Sequence, residues 1–325
     1  MLLNIPSFFM DNKKNISIVI PVYNESHSIE KLFFQIKDNV DSKYNYEIIF
    51  VNDGSTDDSK LKILDLVNSN SKIKLIDFYK NRGKSIALNE GFKMSKGDIV
   101  ITLDADLQDD PNEIDNFIDK LEQGYGLVSG WKKNRKDPIS KRFPSKIFNF
   151  ILRCISGIKI HDFNCGFKAF TKDAIKTIEI YGGLHRFLPI IIKANGFAVA
   201  EVVVNHRKRE FGISKYSGSR IFHGFFDLIT VLFINKYFNN PLHLFGFIGF
   251  IMLSLGFCIN AKLTYDWFFN AVWINPYKNP LFFLGILLII VGIQLFSTGL
   301  IGELMVYLNR KKDYTYDNVD FHNFD

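Results

Sequence analysis

Two carboxylates one residue apart, Asp104 and Asp106, have the clearest chemical potential in this sequence. They directly follow the apolar run 99–103, which has the composition of a buried strand. Carboxylates spaced in this way in an extended turn can bind one hard divalent cation, and oxygen ligands of this kind suit Mg²⁺ or Mn²⁺. Such a cation would neutralise a diphosphate as negative charge develops on it. Because the same pattern occurs by chance in many loops, its meaning depends on the elements around it.

Strand and helix patterns alternate regularly over the first half of the chain. Strands are predicted at 16–20, 47–51, 73–76 and 99–103, and helices begin near 29, 56 and 85. Farther along, 127–131 and 198–204 are predicted as strands and 141–155 as a helix. This alternation predicts an α/β domain built on a Rossmann-like, mainly parallel sheet.

Polar clusters follow three of the predicted strands: residues 23–25, residues 52–53 and residues 104–106. Open α/β sheets bind their ligands beyond the carboxyl ends of the strands. Acidic groups gathered at one edge would repel each other unless a cation or hydrogen-bond donors offset their charge. The sequence therefore predicts a metal- and ligand-binding site at this edge of the sheet.

The last third of the chain has a different composition. Residues 242–261 and 281–308 are apolar and long enough to cross a bilayer. The linker between them is rich in aromatic residues, whereas Lys and Arg flank the outer ends, which predicts both termini on the cytoplasmic side of a membrane. Residues 219–238 are amphipathic and could lie in the membrane interface or pack on the α/β domain.

The predicted organisation follows from these segments. It comprises an N-terminal arm at 1–14, an α/β domain at 15–218, a juxtamembrane helix at 219–240, two transmembrane helices within 241–309 and a cytoplasmic tail at 310–325.

Charge and cysteine usage narrow the function classes. The net charge of +6 is modest and comes without a nucleic-acid-binding motif, so we expect no nucleic-acid partner. Mild basicity suits anionic lipid headgroups and phosphate-bearing ligands. Three cysteines without disulfide-framework spacing indicate reduced thiols. The apolar start lacks a basic n-region, so it is not predicted to be a signal peptide.

Three stretches together resemble the family 2 glycosyltransferases of GT-A fold. They are Ile-Val-Ile-Pro-Val-Tyr-Asn-Glu at 18–25, Val-Asn-Asp-Gly-Ser-Thr-Asp at 51–57, and Asp-Ala-Asp-Leu-Gln-Asp-Asp-Pro at 104–111. Within that family the chain is similar to the polyprenyl-phosphate glycosyltransferases, the group of the dolichol-phosphate mannose synthases and the bacterial undecaprenyl-phosphate glucosyl- and aminoarabinosyl-type transferases. Stretches 164–168, 184–187 and 207–216 support this branch, and the resemblance covers roughly residues 15–240.

The resemblance implies a role for each matching residue on the donor side. The nucleoside of a UDP-sugar would be held by Pro21, Tyr23, Glu25 and Asp53. The family often has two aspartates where this chain has Asn52 and Asp53, so the role passes to Asp53. The diphosphate, sugar and metal would be met by Lys84, Gln108, Asp104 and Asp106.

On the acceptor side, the resemblance implies a polyprenyl phosphate. Its second pKa lies near 6 by analogy with other phosphate monoesters, so the nucleophile is already anionic and needs no strong base. The protein must instead hold two anions close together, which predicts cations. The predicted acceptor-phosphate residues are Arg207, Arg209, Ser214 and Lys215, and Arg suits a bidentate grip on phosphate. Asp162 would orient the sugar or acceptor, which makes Asp106, Asp162 and Arg207 the predicted catalytic set.

The activity that the resemblance implies is inverting transfer of a hexose, with UDP-glucose favoured, to undecaprenyl phosphate at a bacterial inner or plasma membrane. Two alternatives stay open. A processive polysaccharide synthase would need more membrane helices and a Gln-x-x-Arg-Trp motif, neither of which the sequence contains. A non-catalytic scaffold that binds nucleotide sugar is the second. Glycines in both apolar segments could also permit close helix packing in a homo-oligomer.

Overall fold

A computed structural model of the chain describes residues 13–133, 139–207, 233, 240–269 and 279–310. The chain divides into two compact units, Met1–Leu228 and Ile229–Asp325. Most of the predicted arm and juxtamembrane helix, and the tail after residue 310, lie outside the described residues.

The first unit alternates strands and helices as the sequence pattern predicts. Its strands are β1 (Asn15–Val22), β2 (Asn45–Asn52), β3 (Ile73–Asp77), β4 (Ile99–Thr102), β5 (Leu127–Trp131), β6 (Lys168–Thr171) and β7 (Val199–Val203). Its helices are α1 (Ile29–Val40), α2 (Ser59–Ser69), α3 (Lys84–Met94), α4 (Ile114–Leu121), α5 (Ile139–Ser156), α6 (Lys172–Lys176) and α7 (Leu188–Ala194). Short 3-10 turns occupy Pro111–Glu113 and Leu184–Arg186.

One seven-stranded sheet has the order β3-β2-β1-β4-β6-β5-β7. The first four strands pair in parallel, and β5 pairs in parallel with β7. The short strand β6, which the sequence pattern did not predict, lies antiparallel between β4 and β5. The expectation of a mainly parallel sheet is confirmed, and β6 carries residues from the 160s into its centre.

Pro21 does not end β1, although the sequence pattern placed a strand end there. The strand continues to Val22 on the side of β2 but pairs with β4 only as far as Val19. Proline lacks an N–H, so it is tolerated where no neighbouring strand needs that donor. The β1 end is therefore free of β4 where the ligand-binding edge begins.

The core of this unit forms between the sheet and the apolar faces of its helices. Ile18 and Ile20 of β1 and Ile48 and Phe50 of β2 are all buried completely. Helix α1 covers them with apolar residues at helical spacing, as predicted: Ile29, Leu32, Phe33, Ile36 and Val40 are all buried. Burial of this apolar face, rather than intrinsic helix propensity, supplies most of the stability of such a helix.

The second unit contains two long helices, α8 (Pro241–Phe269) and α9 (Pro280–Arg310). In the most apolar 18-residue stretch of each helix, only 17% (α8) and 11% (α9) of the residues are buried. The two helices are therefore not core helices of a soluble domain. Large apolar side chains such as Phe250 and Ile290 are instead exposed. At about 1.5 Å per residue, each helix exceeds the roughly 30 Å hydrocarbon core of a bilayer. Both are therefore candidate membrane spans, as the sequence predicted.

Glycines bring the two long helices into close contact. A Cβ on Gly249 would lie 2.7 Å from the carbonyl oxygen of Gly292, and a Cβ on Gly256 would lie 2.6 Å from that of Gly285. Small residues allow helix backbones to approach closely in the absence of a hydrophobic driving force. At least part of the glycine pattern thus serves packing within one chain.

Candidate active site

The three polar strand ends predicted from sequence converge at one edge of the sheet. They follow β2, β1 and β4, which are adjacent and parallel. Asn24, with φ of +52°, turns the chain after β1, and its backbone N–H donates to Ser55 Oγ at 2.9 Å. Its side-chain oxygen accepts from the backbone N–H of Thr56 at 2.7 Å. The β1 and β2 turns are thereby joined into one surface.

The predicted nucleoside residues around β1 lie on this surface. Pro21, Tyr23 and Glu25 are each half-buried. The backbone N–H of Glu25 donates to Ser59 Oγ at 3.0 Å, which ties this turn to the start of α2. Their roles toward a nucleoside stay predictions.

Asp53 is buried at the end of β2, with an exposed fraction of 4%. Its carboxylate accepts from the backbone N–H groups of Arg82 at 2.7 Å and Gly83 at 3.0 Å. Burial raises the pKa of Asp53, and these two donors oppose that rise. Gly54 has φ of +66°, and a Cβ there would lie 2.4 Å from the Lys80 backbone. Asp53 and Gly54 therefore hold the loop 78–83 against the end of β2.

Lys84, the first residue of α3, forms an ion pair with Asp104. Burial alone would raise the pKa of Asp104, but the charge and hydrogen bond of Lys84 lower that pKa to about 2. The carboxylate is therefore fully ionised at neutral pH. The structure thus joins two residues that the sequence had assigned separately to the donor diphosphate and the metal.

The acidic loop, residues 104–110 between β4 and the 3-10 turn Pro111–Glu113, is tightly turned. Leu107 has φ of +61°, and the backbone N–H of Gln108 donates to Asp106 Oδ1 at 3.2 Å. In the described part of the chain, no group of three His, Cys, Asp or Glu residues is arranged to hold a metal. Asp104 and Asp106 nonetheless fit a hard cation that takes its remaining ligands from water and a diphosphate, since Mg²⁺ is commonly bound by one or two carboxylates with substrate oxygens.

The sequence analysis missed a buried ion pair between the acidic loop and the residue that follows β5. Lys132 Nζ lies 2.7 Å from Asp109 Oδ1, with side-chain exposures of 11% and 1%. Burial alone would lower the pKa of Lys132, but the Asp109 carboxylate raises that pKa well above its ordinary value. The second oxygen of Asp109 accepts from the Asp104 backbone N–H at 3.4 Å. A lysine one residue beyond a strand carried no signal in the sequence that it would turn inward.

Two further residues of the stretch 164–168 lie directly at the acidic loop. A Cβ on Gly166 would lie 2.4 Å from Asp104 Oδ2, so a larger residue there would force the carboxylate or the turn to move. Lys168 is 3% exposed and its ammonium group donates to the Cys165 carbonyl oxygen. Burial lowers the pKa of Lys168. The sequence analysis expected Asp162, just before this stretch, at the sugar or acceptor, but it assigned no individual role to Gly166 or Lys168.

Asp162 is 3% exposed and lies just before that stretch. Its Oδ1 accepts from the backbone N–H of Asn164 at 3.2 Å, and its carbonyl oxygen accepts from Ser129 Oγ at 3.2 Å. These contacts position Asp162 near the carboxyl end of β5. Its predicted role in orienting the sugar or acceptor stays a prediction.

Arg207 lies on another side of the acidic loop. Its Nη2 lies 2.7 Å from Asp110 Oδ1, and its Nη1 donates to Gln35 Oε1 at 3.2 Å. The structure thus brings Arg207 to the far end of the loop and not to Asp104. Three other predicted acceptor residues, Arg209, Ser214 and Lys215, lie outside the described residues.

A histidine that the sequence analysis assigned no chemistry, His185, also lies at this edge. Its Nδ1 is 2.8 Å from the Oγ of Ser85, which is the residue after Lys84 in α3. Burial and the charge of Lys84 lower the pKa of His185 well below its ordinary value, so the imidazole is neutral at neutral pH.

Comparison with known proteins is consistent with this geometry. The model of Glycosyl transferase family 2 matches residues 17–179. The chain is 31% identical over 296 residues to a dodecaprenyl-phosphate galacturonate synthase of Rhizobium johnstonii, covering 89% of this chain and 87% of that one. It is 37% identical over 303 residues to an undecaprenyl-phosphate 4-deoxy-4-formamido-L-arabinose transferase of Pseudomonas savastanoi, covering 91% and 86%.

Among solved structures, the fold is similar to glucosyl-3-phosphoglycerate synthase of Mycobacterium tuberculosis in complex with Mn²⁺, UDP and phosphoglyceric acid. The TM-score is 0.55 at 19% identity, covering 67% of this chain and 78% of that one. This likeness supports the GT-A-like fold alone. With the family match and the acidic loop at the strand ends, the chain belongs to glycosyl transferase family 2 and is a glycosyltransferase.

Proposed function

We propose that this chain transfers a sugar from a nucleotide sugar to a polyprenyl phosphate at the cytoplasmic face of a membrane. The similarity to two polyprenyl-phosphate sugar transferases over 89–91% of this chain carries the proposal. The two candidate membrane spans support it, because a lipid acceptor is confined to the bilayer.

The charges at the site suit an acceptor that is itself an anion. In the proposed reaction a phosphate oxygen of the lipid attacks the anomeric carbon, the bond from that carbon to the nucleoside diphosphate breaks, and the nucleoside diphosphate leaves. Since the phosphate is ionised near neutral pH, no proton must be removed. The site must instead offset two anions, and Lys84, Lys132 and Lys168 place positive charge around Asp104.

Each part of the site has a task in this proposal. Asp53 holds the loop 78–83 beside the nucleoside position through its two backbone hydrogen bonds. Asp104 and Asp106 would hold Mg²⁺ or Mn²⁺, which when bound stabilises charge on the leaving diphosphate. Lys84 is already at Asp104 and would exchange part of that contact for the diphosphate. Asp162 orients the sugar or acceptor.

The donor sugar is the finer part of the proposal. The sequence favours UDP-glucose, whereas the two relatives carry galacturonate and formamido-arabinose in their names. Discrimination among such sugars depends on a few hydrogen bonds to hydroxyl and ring substituents. The donor panel should therefore include UDP-glucose, UDP-galactose and UDP-galacturonic acid.

Transfer can be tested with the purified full-length chain in detergent. It would be incubated with undecaprenyl phosphate, Mg²⁺ or Mn²⁺ and each nucleotide sugar, and lipid-linked products would be measured by mass spectrometry. We expect a product with at least one donor. The absence of a product with every donor would refute the proposal. Asp106→Asn is the matched control: a folded, membrane-bound variant without transfer indicates catalysis, and unchanged cellular function would instead favour the scaffold alternative.

Orientation needs a separate experiment. Cys154, which is exposed on α5, can be labelled by a membrane-impermeant maleimide. In spheroplasts we expect labelling only after permeabilisation, with Cys154→Ser as the unlabelled control. Labelling of intact spheroplasts at Cys154 would contradict a cytoplasmic catalytic domain.

A further inference from the structure

A hydrogen-bonded pair joins two segments that lie 100 positions apart in the chain. Ser85, in the first turn of α3, has its Oγ 2.8 Å from Nδ1 of His185, which lies in the 3-10 turn Leu184–Arg186. The same Oγ accepts from the backbone N–H of His185 at 3.1 Å. Ser85 is completely buried, so water does not compete for its hydroxyl. Ser85 therefore holds His185 at two points, its backbone N–H and its ring.

The contacts also assign the ring proton. A serine hydroxyl has one proton to donate and two lone pairs. Among the described residues, Nδ1 of His185 is the only acceptor that the structure records within hydrogen-bond distance of the buried Ser85 hydroxyl. We therefore assign the hydroxyl proton to this contact, which leaves the ring proton of the neutral imidazole on Nε2. Because the N–H of Nε2 points away from Nδ1, the Ser85 hydroxyl at Nδ1 cannot also engage it. His185 thus has a fixed, directional N–H donor.

The position of this donor is set by the start of α3. Ser85 follows Lys84, whose ammonium group pairs with Asp104 of the acidic loop. His185 is half-buried, whereas Leu184 and Phe187 on its own segment are buried. His185 is therefore neither sealed in the core nor fully solvated. It lies against the start of α3, next to Lys84, which is proposed above to meet the diphosphate.

We propose that His185 contacts the substrate by donating a hydrogen bond from Nε2 to a hydroxyl of the transferred sugar. This inference rests on the proposed function in so far as the donor is a nucleotide sugar. The charge of the diphosphate is met by Lys84 and by a cation at Asp104 and Asp106. A neutral donor with a fixed direction instead suits an uncharged hydroxyl, and such a donor discriminates strongly against sugars that lack the hydroxyl.

Two substitutions separate this role from a purely structural one. His185→Asn places a polar atom near Nδ1, so it can keep the contact with Ser85 but does not reach the position of Nε2. His185→Gln places an N–H donor near Nε2. Ser95→Ala is a matched control for Ser85→Ala, because Ser95 lies at the opposite end of α3 and its hydroxyl donates to the Phe92 carbonyl oxygen at 2.7 Å.

Binding of UDP and of the nucleotide sugars to the full-length variants would be measured by calorimetry with Mn²⁺. We expect His185→Asn to weaken binding of the preferred nucleotide sugar about tenfold while UDP binding changes less than about twofold, and His185→Gln to restore most of the loss. Ser85→Ala should weaken sugar-nucleotide binding about threefold, since the ring loses its anchor, and Ser95→Ala should leave it unchanged.

Three results would overturn the inference: wild-type binding by His185→Asn, equal weakening of UDP and nucleotide sugar, or no rescue by His185→Gln. The outcome is independent of the acceptor. A wild-type chain that binds a nucleotide sugar but makes no lipid-linked product would refute the proposed function, and the binding series would still decide the role of His185.

Discussion

Replacing Gly166 with alanine tests whether Asp104 is held in place by the turn before β6. The added Cβ would lie 2.4 Å from Asp104 Oδ2 and 2.7 Å from Oδ1, whereas ordinary contacts begin near 3.4 Å. Either the carboxylate or the turn 164–167 must therefore move by about 1 Å. Because Asp104 also pairs with Lys84, this movement would disturb both the acidic loop, which is predicted to hold the metal, and Lys84, which is predicted to meet the diphosphate.

The size of the effect follows from two separate costs. Forcing an extra methyl group into a packed site costs about 1–3 kcal/mol of folding stability. A misplacement of about 1 Å at reacting groups can cost about 100-fold in rate. We therefore expect Gly166→Ala to lower kcat/KM about 100-fold, and to shift the Mn²⁺ dependence to higher concentration, while the chain still folds.

Gly124→Ala is the matched control for backbone strain. Gly124 has φ of +94° and nothing within 4 Å of an added Cβ, and it precedes β5 at the opposite edge of the sheet. Alanine there costs roughly 1–2 kcal/mol of stability without touching the site. Thermal unfolding by circular dichroism and transfer kinetics would be measured on both variants. The reasoning is refuted if folded Gly166→Ala retains at least half of the wild-type kcat/KM.

Three other predictions concern charged groups. Lys132→Met should lower the free energy of unfolding by about 3–5 kcal/mol, because it leaves the Asp109 carboxylate buried without its partner. Glu47→Gln should reduce the loss of stability at acid pH. Hydrogen bonds from the neighbours of Glu47 outweigh its burial and lower its pKa. The stabilising contribution of the carboxylate is therefore present at pH 7 and is lost as the pH falls below 4.5, the ordinary pKa of this group. Arg207→Lys should raise KM for undecaprenyl phosphate about tenfold and leave KM for the nucleotide sugar unchanged, because lysine keeps the charge but loses the planar fork.

Each of these has its own control. Lys93→Met removes an exposed pair with Glu90 and should change stability by less than about 1 kcal/mol; an equal loss in the two lysine variants would contradict the buried-pair argument. For Glu47→Gln and the wild type, the unfolding temperature would be measured at pH 7 and pH 3.5. If the unfolding temperature of the variant falls between these pH values by as much as that of the wild type, Glu47 does not make the predicted contribution. Asp110→Asn keeps the guanidinium of Arg207 but removes its partner, so a matching rise in KM would point to the ion pair rather than to phosphate binding.

The sequence alone determined the elements and the edge at which the chemistry lies. Apolar runs of strand length predicted six of the seven strands, and the carboxylates that follow β2 and β4 are local to those strands. Because parallel strands of one sheet end at the same edge, the alternation of strands and helices was enough to place Asp53 and Asp104 at one edge. The two candidate membrane spans could also be predicted from the sequence, since a span depends on length and composition.

Only the tertiary structure decided what surrounds Asp104. Strand β6 was missed because it is four residues long and begins with a lysine, yet its insertion between β4 and β5 brings Gly166 and Lys168 to the acidic loop. The pairing of Ser85 with His185 joins residues 100 positions apart. Local periodicity reports which face of an element is apolar, but contacts between distant segments depend on strand order and on packing of the whole domain. The carboxylates and Lys84 were therefore visible in the sequence, whereas the positions of Lys132, Gly166, Lys168 and His185 around them became visible only in the fold.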